Sequence, residues 1–228
     1  MKKKQFAVIG MGRFGSSVAK TLYGMDYEVL AIDRDENRTN EVAEMVTHAV
    51  TADSTDEDAM RAIGIRNFDV AVVAIGQDIQ ASILTTLILK EMGVPKIVAK
   101  AQNELHGKVL SKIGADEVIY PERDMGLRVA HHLISPNILD HIELSGDYGI
   151  VDLKAGPAMI GKNLRQLDIR NKYGCNVMGI RSKDGAMNIS PSAEDLIRDG
   201  DVLVVVGKNE DLYRFERAFS RGEENGRA

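Results

Sequence analysis

The first 120 residues alternate between two hydrophobic rhythms. Short apolar runs at residues 6–9, 28–32, 48–51, 69–75, 96–99 and 118–120 are separated by longer stretches in which polar and apolar positions mix with helical spacing. The run at 69–75 is almost continuously apolar, as expected of a strand covered on both faces. Helices are predicted at about 12–24, 36–45, 56–63, 79–89 and 103–113, with Ser54 or Thr55 as the N-cap of the third. Six strands alternating with helices predict an α/β fold, a doubly wound parallel sheet. The rhythm then changes. A helix at 123–135 carries Met125, Leu127, Val129, Leu133 and Ile134, and Pro136 opens a connector over 137–147. Beyond it come a strand at 149–153, a helix at 164–173 closed by Gly174, strands at 176–180, 187–189 and 202–206, and a helix at 211–219. That order, βαβββα, predicts a small α+β domain. The expected division is 1–140, 141–220 and a disordered polar tail, 221–228.

The helix at 79–89 departs from the amphipathic rule. Its apolar residues run nearly all the way round, whereas a helix on one face of a sheet needs one apolar stripe. It is either buried on two sides within the chain or presents its outer face to another subunit, and a domain this small favours the second.

The first strand ends in Gly10-Met11-Gly12-Arg13-Phe14-Gly15, a Gly-x-Gly-x-x-Gly turn leading into a helix. This is the dinucleotide-binding fingerprint: one glycine for the tight turn, one for close approach of a phosphate, one for helix–strand packing. The helix N-terminus adds free N–H groups and a positive dipole end. Asp33 ends the second strand 18 residues after Gly15, near the spacing of a ribose-gripping carboxylate. Arg34 follows; an arginine there can favour a 2′-phosphate, but the adjacent acid argues for a free ribose hydroxyl. Asp53 and Ser54 follow the third strand, either at the rim of an adenine pocket or as a capped turn. Ile75-Gly76, Lys100 and Glu122 lie at or just beyond the ends of strands four, five and six, where such sheets bind ligands.

Composition narrows the class. The chain has 228 residues, 44% hydrophobic and 28% charged, with formal net charge −5, which argues against a nucleic-acid binder. Its one cysteine, Cys175, cannot close an intrachain disulfide, so a reducing, cytoplasmic compartment is expected. Met1-Lys2-Lys3-Lys4 precedes an apolar run too short and glycine-broken for a signal peptide. His131-His132 are adjacent, hence about 100° apart on a helix, and read as ordinary helix residues rather than a metal pair. The last third holds no convincing catalytic constellation, which argues against a dehydrogenase.

Taken together, several motifs resemble those of RCK-domain cytosolic regulatory subunits of Trk/Ktr potassium-uptake systems, the Ktr type most closely. They are the glycine turn; Val73-Ala74-Ile75-Gly76 with Ile79-Gln80-Ala81-Ser82; Lys100-Ala101-Gln102-Asn103; Lys112-Ile113-Gly114-Ala115-Asp116; Pro121-Glu122-Arg123-Asp124-Met125; and Leu167-Asp168-Ile169-Arg170 with Lys172-Tyr173-Gly174-Cys175. The resemblance covers about residues 5–219. It implies a nucleotide-binding N-domain and a small C-domain, dimers assembled into an octameric ring, and peripheral attachment to the inner face of the membrane through a K⁺-translocating partner. It implies ATP or ADP on Gly10, Met11, Gly12, Arg13, Phe14, Gly15, Asp33, Arg34, Asp53, Ser54, Ile75, Gly76, Lys100 and Glu122, with Mg²⁺ or another cation at Glu122. NAD(H), in a sensor or a small oxidoreductase, is the alternative ligand. Arg13 is either a phosphate partner or a solvated loop cation. For the C-domain the resemblance implies cyclic di-AMP on Leu164, Asp168, Ile169, Arg170, Asn176 and Val177; a helix-end Arg170 in a packing domain is the competing reading.

Overall fold

The computed structural model describes residues 3–135 and 137–220, without the side chains of His131 and Ser220. The tail expected to be disordered, Pro136 and the first two residues lie outside the described residues. The chain divides into two compact units, 1–123 and 124–228.

The first unit contains β1 (Gln5–Ile9), α1 (Arg13–Gly24), β2 (Glu28–Asp33), α2 (Glu36–Val42), β3 (His48–Thr51), α3 (Glu57–Ile63), β4 (Val70–Val73), α4 (Ile79–Glu91), β5 (Ile97–Lys100), α5 (Glu104–Ile113) and β6 (Glu117–Ile119). α6 (Pro121–Ile134) begins in it and continues into the second unit. The six strands form one parallel sheet in the order β3-β2-β1-β4-β5-β6, the doubly wound Rossmann order. Side-chain alternation divides the core between the two faces. Ala7 and Ile9 join Leu30, Ile32, Val73, Leu89, Ile97 and Leu110 on one side. Val8 joins Ala19, Val29, Ala31, Val42 and Val72 on the other. Both faces are covered, so the strands are apolar at nearly every position. Because all six run the same way, their carboxyl ends and the loops after them share one edge.

The expected N-cap of α3 shifts by one or two residues. Asp56 is the cap, its carboxylate accepting from the Asp58 and Ala59 N–H groups. It is also a strong capping residue, and the three consecutive candidates Ser54, Thr55 and Asp56 could not be told apart by type alone.

α4 is packed with its hydroxyls inward. Ser82, Thr85, Thr86 and Leu89 are buried, while Leu84 and Leu87 are exposed. The small hydroxyl side chains let the helix lie close to the sheet, and two of them are satisfied there: Thr86 Oγ1 donates to the Ser82 carbonyl, and Thr85 Oγ1 bonds Ser54 Oγ at 2.8 Å. The apolar circumference read from sequence is therefore not explained by burial on two sides within this unit.

The second unit contains β7 (Ile138–Ser145), β8 (Tyr148–Lys154), α7 (Leu164–Leu167), α8 (Ile169–Tyr173), β9 (Asn176–Arg181), β10 (Met187–Asn188), β11 (Val202–Lys208) and α9 (Asn209–Ser220). Its antiparallel sheet runs β10-β9-β11-β8-β7. The connector expected at 137–147 is corrected here: most of it is strand β7, paired with β8. β7 is an edge strand with Asp140, His141 and Glu143 among its residues, so its alternation is weaker than that of a central strand. The single helix expected at 164–173 is two, broken at Asp168, which sits at φ +47°. Leu153, Ile180, Ile197, Leu203, Val205, Leu212 and Phe215 are among the residues of this unit's own core.

Candidate functional site

The glycine turn leaves β1 and enters α1 at the shared carboxyl edge. Its three glycines have three different reasons to be there. Gly10 sits at φ +95°, where a side chain is strained, and a Cβ there would lie 3.1 Å from the Ala74 backbone. A Cβ on Gly15 would lie 1.9 Å from the Gly10 carbonyl oxygen. Gly12, the N-cap of α1, has an extended backbone at φ −72°, and its Cβ would meet nothing within 4 Å. Neither conformation nor packing requires glycine at position 12; the open space there would let a ligand approach the backbone.

Asp33 is 7% exposed and braces this turn. Its Oδ2 accepts the Met11 N–H at 2.6 Å and its Oδ1 accepts the Asp35 N–H at 2.9 Å. Arg38, from α2, places Nη1 3.6 Å from the same Oδ2. Nothing in the sequence pattern singled out Arg38; only the turn of α2 brings it back over Asp33. Each carboxylate oxygen retains a lone pair for a sugar hydroxyl. Met11 is buried, Phe14 half-buried, and Arg13 exposed in the first turn of α1. Among the described residues Arg13 has no ion-pair partner, and that turn contains no acid. A cation at a helix N-terminus is unfavourable by itself and becomes favourable beside an anion.

Lys100, at the end of β5, is 9% exposed. Its Nζ donates to Glu122 Oε1, sits 5.8 Å from the Phe14 ring centre, and would lie 3.4 Å from a Cβ on Gly76. The lysine is thus enclosed by the glycine turn, the loop after β4 and the start of α6. The Lys100 hydrogen bond holds the Glu122 carboxyl below its ordinary range, with burial opposing it. Among the described residues no group of three or more His, Cys, Asp or Glu side chains is arranged to hold a metal. A cation at Glu122 would share that carboxylate with the Lys100 ammonium.

Asp53 and Ser54 both have structural roles. Asp53 accepts the Thr55 hydroxyl and N–H, which lower its pKa, with Arg34 adding a smaller push in the same direction. Ser54 is buried and its hydroxyl is tied to Thr85. Arg34 reaches Asp78, the N-cap of α4, at 3.6 Å. Asp78 is not among the candidate residues marked by motif or spacing, although an acid just before a helical run is the available signal. Ile75 packs against the core and Gly76 follows it.

In the second unit the residues drawn together by the resemblance divide sharply. Ile169 is 4% exposed within the core, and Leu164 and Val177 pack against that core. Arg170 and Asn176 are exposed. Asp168 accepts the Asn171 side-chain N–H at 2.6 Å. Cys175 is buried, and burial pushes its thiol up to about 11, so it stays protonated and unreactive. His132 Nδ1 lies 3.1 Å from the Ile138 carbonyl; the side chain of His131 is outside the described residues.

Comparison with known proteins adds to this geometry. Residues 6–121 match the TrkA-N domain and residues 149–220 the TrkA-C domain. The chain is 51% identical over 215 residues to Ktr system potassium uptake protein C of Bacillus subtilis, covering 94% of this chain and 97% of that protein. It is 50% identical over 216 residues to Ktr system potassium uptake protein A of the same organism, covering 95% and 97%. Among solved structures, the GsuK RCK domain superposes with TM-score 0.65 at 17% identity, over 98% of this chain and 49% of that one. The GsuK channel bound to NAD does so with TM-score 0.64 at 17% identity, over 98% and 41%. The last two show the fold.

Proposed function

Because the chain belongs to the Ktr-type potassium-uptake family built from TrkA-N and TrkA-C domains, we propose that it is a cytosolic regulatory subunit whose bound nucleotide, ATP or ADP, sets the activity of a membrane K⁺-translocating partner. The observation that carries the nucleotide class is the pairing of an open cradle with unmatched charge. Gly12 leaves its backbone free, and Arg13 beside it stands without an ionic partner among the described residues. A dinucleotide pyrophosphate is already served by backbone N–H groups; the longer, more charged tail of ATP is what gives Arg13 something to neutralise, and Lys100, paired with Glu122, lies beside the same turn. The nucleotide acts as a signal, not a reactant: Lys100 and Glu122, the acid/base groups beside the glycine turn, are bound to each other.

The chain assembles with copies of itself into a ring, eight subunits in all. The exposed Leu84 and Leu87 of α4 supply an apolar face suited to such a contact. No helix among the described residues is long and apolar enough to cross a membrane; in this proposal attachment to the inner membrane face runs through the K⁺-translocating partner. A divalent cation such as Mg²⁺ would be held by Glu122 and would offset the like charge between that carboxylate and a nucleotide's phosphates. Cyclic di-AMP, bound on the second unit with Arg170 on a phosphate and Asn176 on an adenine edge, closes the system.

A ligand shifts such an equilibrium only by its differential affinity for the two states. The test is K⁺ flux in vesicles holding the membrane partner and this chain, titrated with ATP, ADP and NAD(H). Flux is expected to rise with ATP over ADP. Equal flux with both sinks the gating assignment, and selective response to NADH moves the ligand to the alternative reading. That alternative draws on the NAD carried by the GsuK channel, a likeness of fold.

A further inference from the structure

Arg34 is a cation at the carboxyl edge whose partner lies on the loop after β4. It leaves β2 directly after Asp33, but its guanidinium pairs with Asp78 from the loop after β4. Asp33 is served instead by Arg38. The third loop of the group, after β3, contributes Asp53, whose carboxyl also feels the Arg34 charge. Each carboxylate is itself anchored. Asp78 Oδ1 accepts the Ala81 N–H at 2.9 Å as the cap of α4, and Asp53 is fixed by Thr55. The loop after β3 is also tied to α4 through Ser54 and Thr85. The loops after β2 and β4 therefore meet at one guanidinium, with the loop after β3 tied to α4 alongside, next to the acid at the ribose spacing.

The charge of Arg34 is matched by this arrangement. It is poorly suited to capture a 2′-phosphate, which would meet the like charges of Asp33, its chain neighbour, and Asp78, its ion-pair partner. What remains available is a planar, weakly hydrated face on a side chain 71% exposed. Such a face stacks on aromatic rings. Resting on the nucleotide assignment above, we propose that Arg34 stacks on the purine ring of the bound nucleotide, and that Asp78 is the positioning residue that holds it there. Base recognition and phosphate recognition then sit on separate residues, Arg34 at one end and Arg13 with Lys100 at the other.

The test is calorimetric titration of the full chain with ATP and with ribose 5-triphosphate, which lacks the base. Arg34→Ala is expected to weaken ATP about 10-fold, the scale of one stacking contact, and to leave ribose 5-triphosphate within about twofold. Arg34→Lys keeps the charge and loses the plane, so its ATP affinity should fall nearly as far. Asp78→Asn preserves the helix cap, because asparagine caps as well as aspartate, and should weaken ATP alone by about threefold. Equal losses on both ligands, or wild-type ATP affinity in Arg34→Lys, would show a purely electrostatic role and overturn the inference while leaving the nucleotide assignment standing. A wild-type chain that binds neither ligand would overturn the nucleotide assignment, and the inference with it.

Discussion

The parallel sheet of the first unit and the antiparallel sheet of the second treat their functional candidates differently. In the first, six strands end at one edge, and the loops after them carry groups that the core does not need: the open Gly12, Arg13 with no ion-pair partner among the described residues, the enclosed Lys100. In the second, strands end at both edges and the candidates lie on α7, α8 and β9, elements that also close the core. Ile169 belongs to that core outright, while Arg170, its neighbour, does not. A parallel sheet separates binding from folding by topology; a small antiparallel domain asks neighbouring residues on one short helix to divide the two tasks.

The sharpest way to break this contrast is Ile169→Ala. If Ile169 is core, the second unit should lose about 2–4 kcal/mol in denaturant unfolding. An unchanged midpoint together with lost cyclic di-AMP binding would make it a ligand wall instead. Next comes the glycine pair. Gly15→Val drives a side chain into the Gly10 carbonyl and should cost about 2–3 kcal/mol in the same measurement. Gly12→Ala enters open space and should cost no more than about 1 kcal/mol, yet lower ATP affinity about 10-fold or more by calorimetry. Similar stability losses for the two would remove the argument that position 12 answers to a ligand. Arg170→Ala should leave the unfolding midpoint of the second unit within about 0.5 kcal/mol and abolish cyclic di-AMP binding; retained binding would take Arg170 out of that site.

The smallest effect concerns His106, buried at 3% exposure in the first turn of α5, where burial pulls its pKa below the ordinary 6.5. The unfolded chain therefore takes up this proton first as pH falls. The stabilising effect is complete above about 6.5 and is lost as the pH drops toward the lower folded value. Melting temperature should fall between pH 7.5 and 5.5, and His106→Gln should flatten that part of the dependence. An identical slope in the variant would assign it to other groups.

Much of this molecule is determined by local pattern. The strand runs, the glycine spacing and the position of Asp33 each follow from short-range rules, because a doubly covered strand must be apolar and a tight phosphate turn must be glycine-rich. The second unit was less legible. Edge strand β7 reads as a connector because an edge strand tolerates charges on alternate positions, and the break at Asp168 depends on one residue adopting a left-handed backbone. Tertiary structure alone decided which way α4 faces. Its composition gave no preferred side, and only contact with Ser54 and the sheet turned Ser82, Thr85 and Thr86 inward and left Leu84 and Leu87 outside. It also decided the charge pairs: that Lys100 meets Glu122, that Arg38 rather than Arg34 serves Asp33, and that Arg34 reaches Asp78. Residue type limits what a side chain can bond, but a guanidinium on a flexible stem can reach several carboxylates, and the fold alone sets which of them is near.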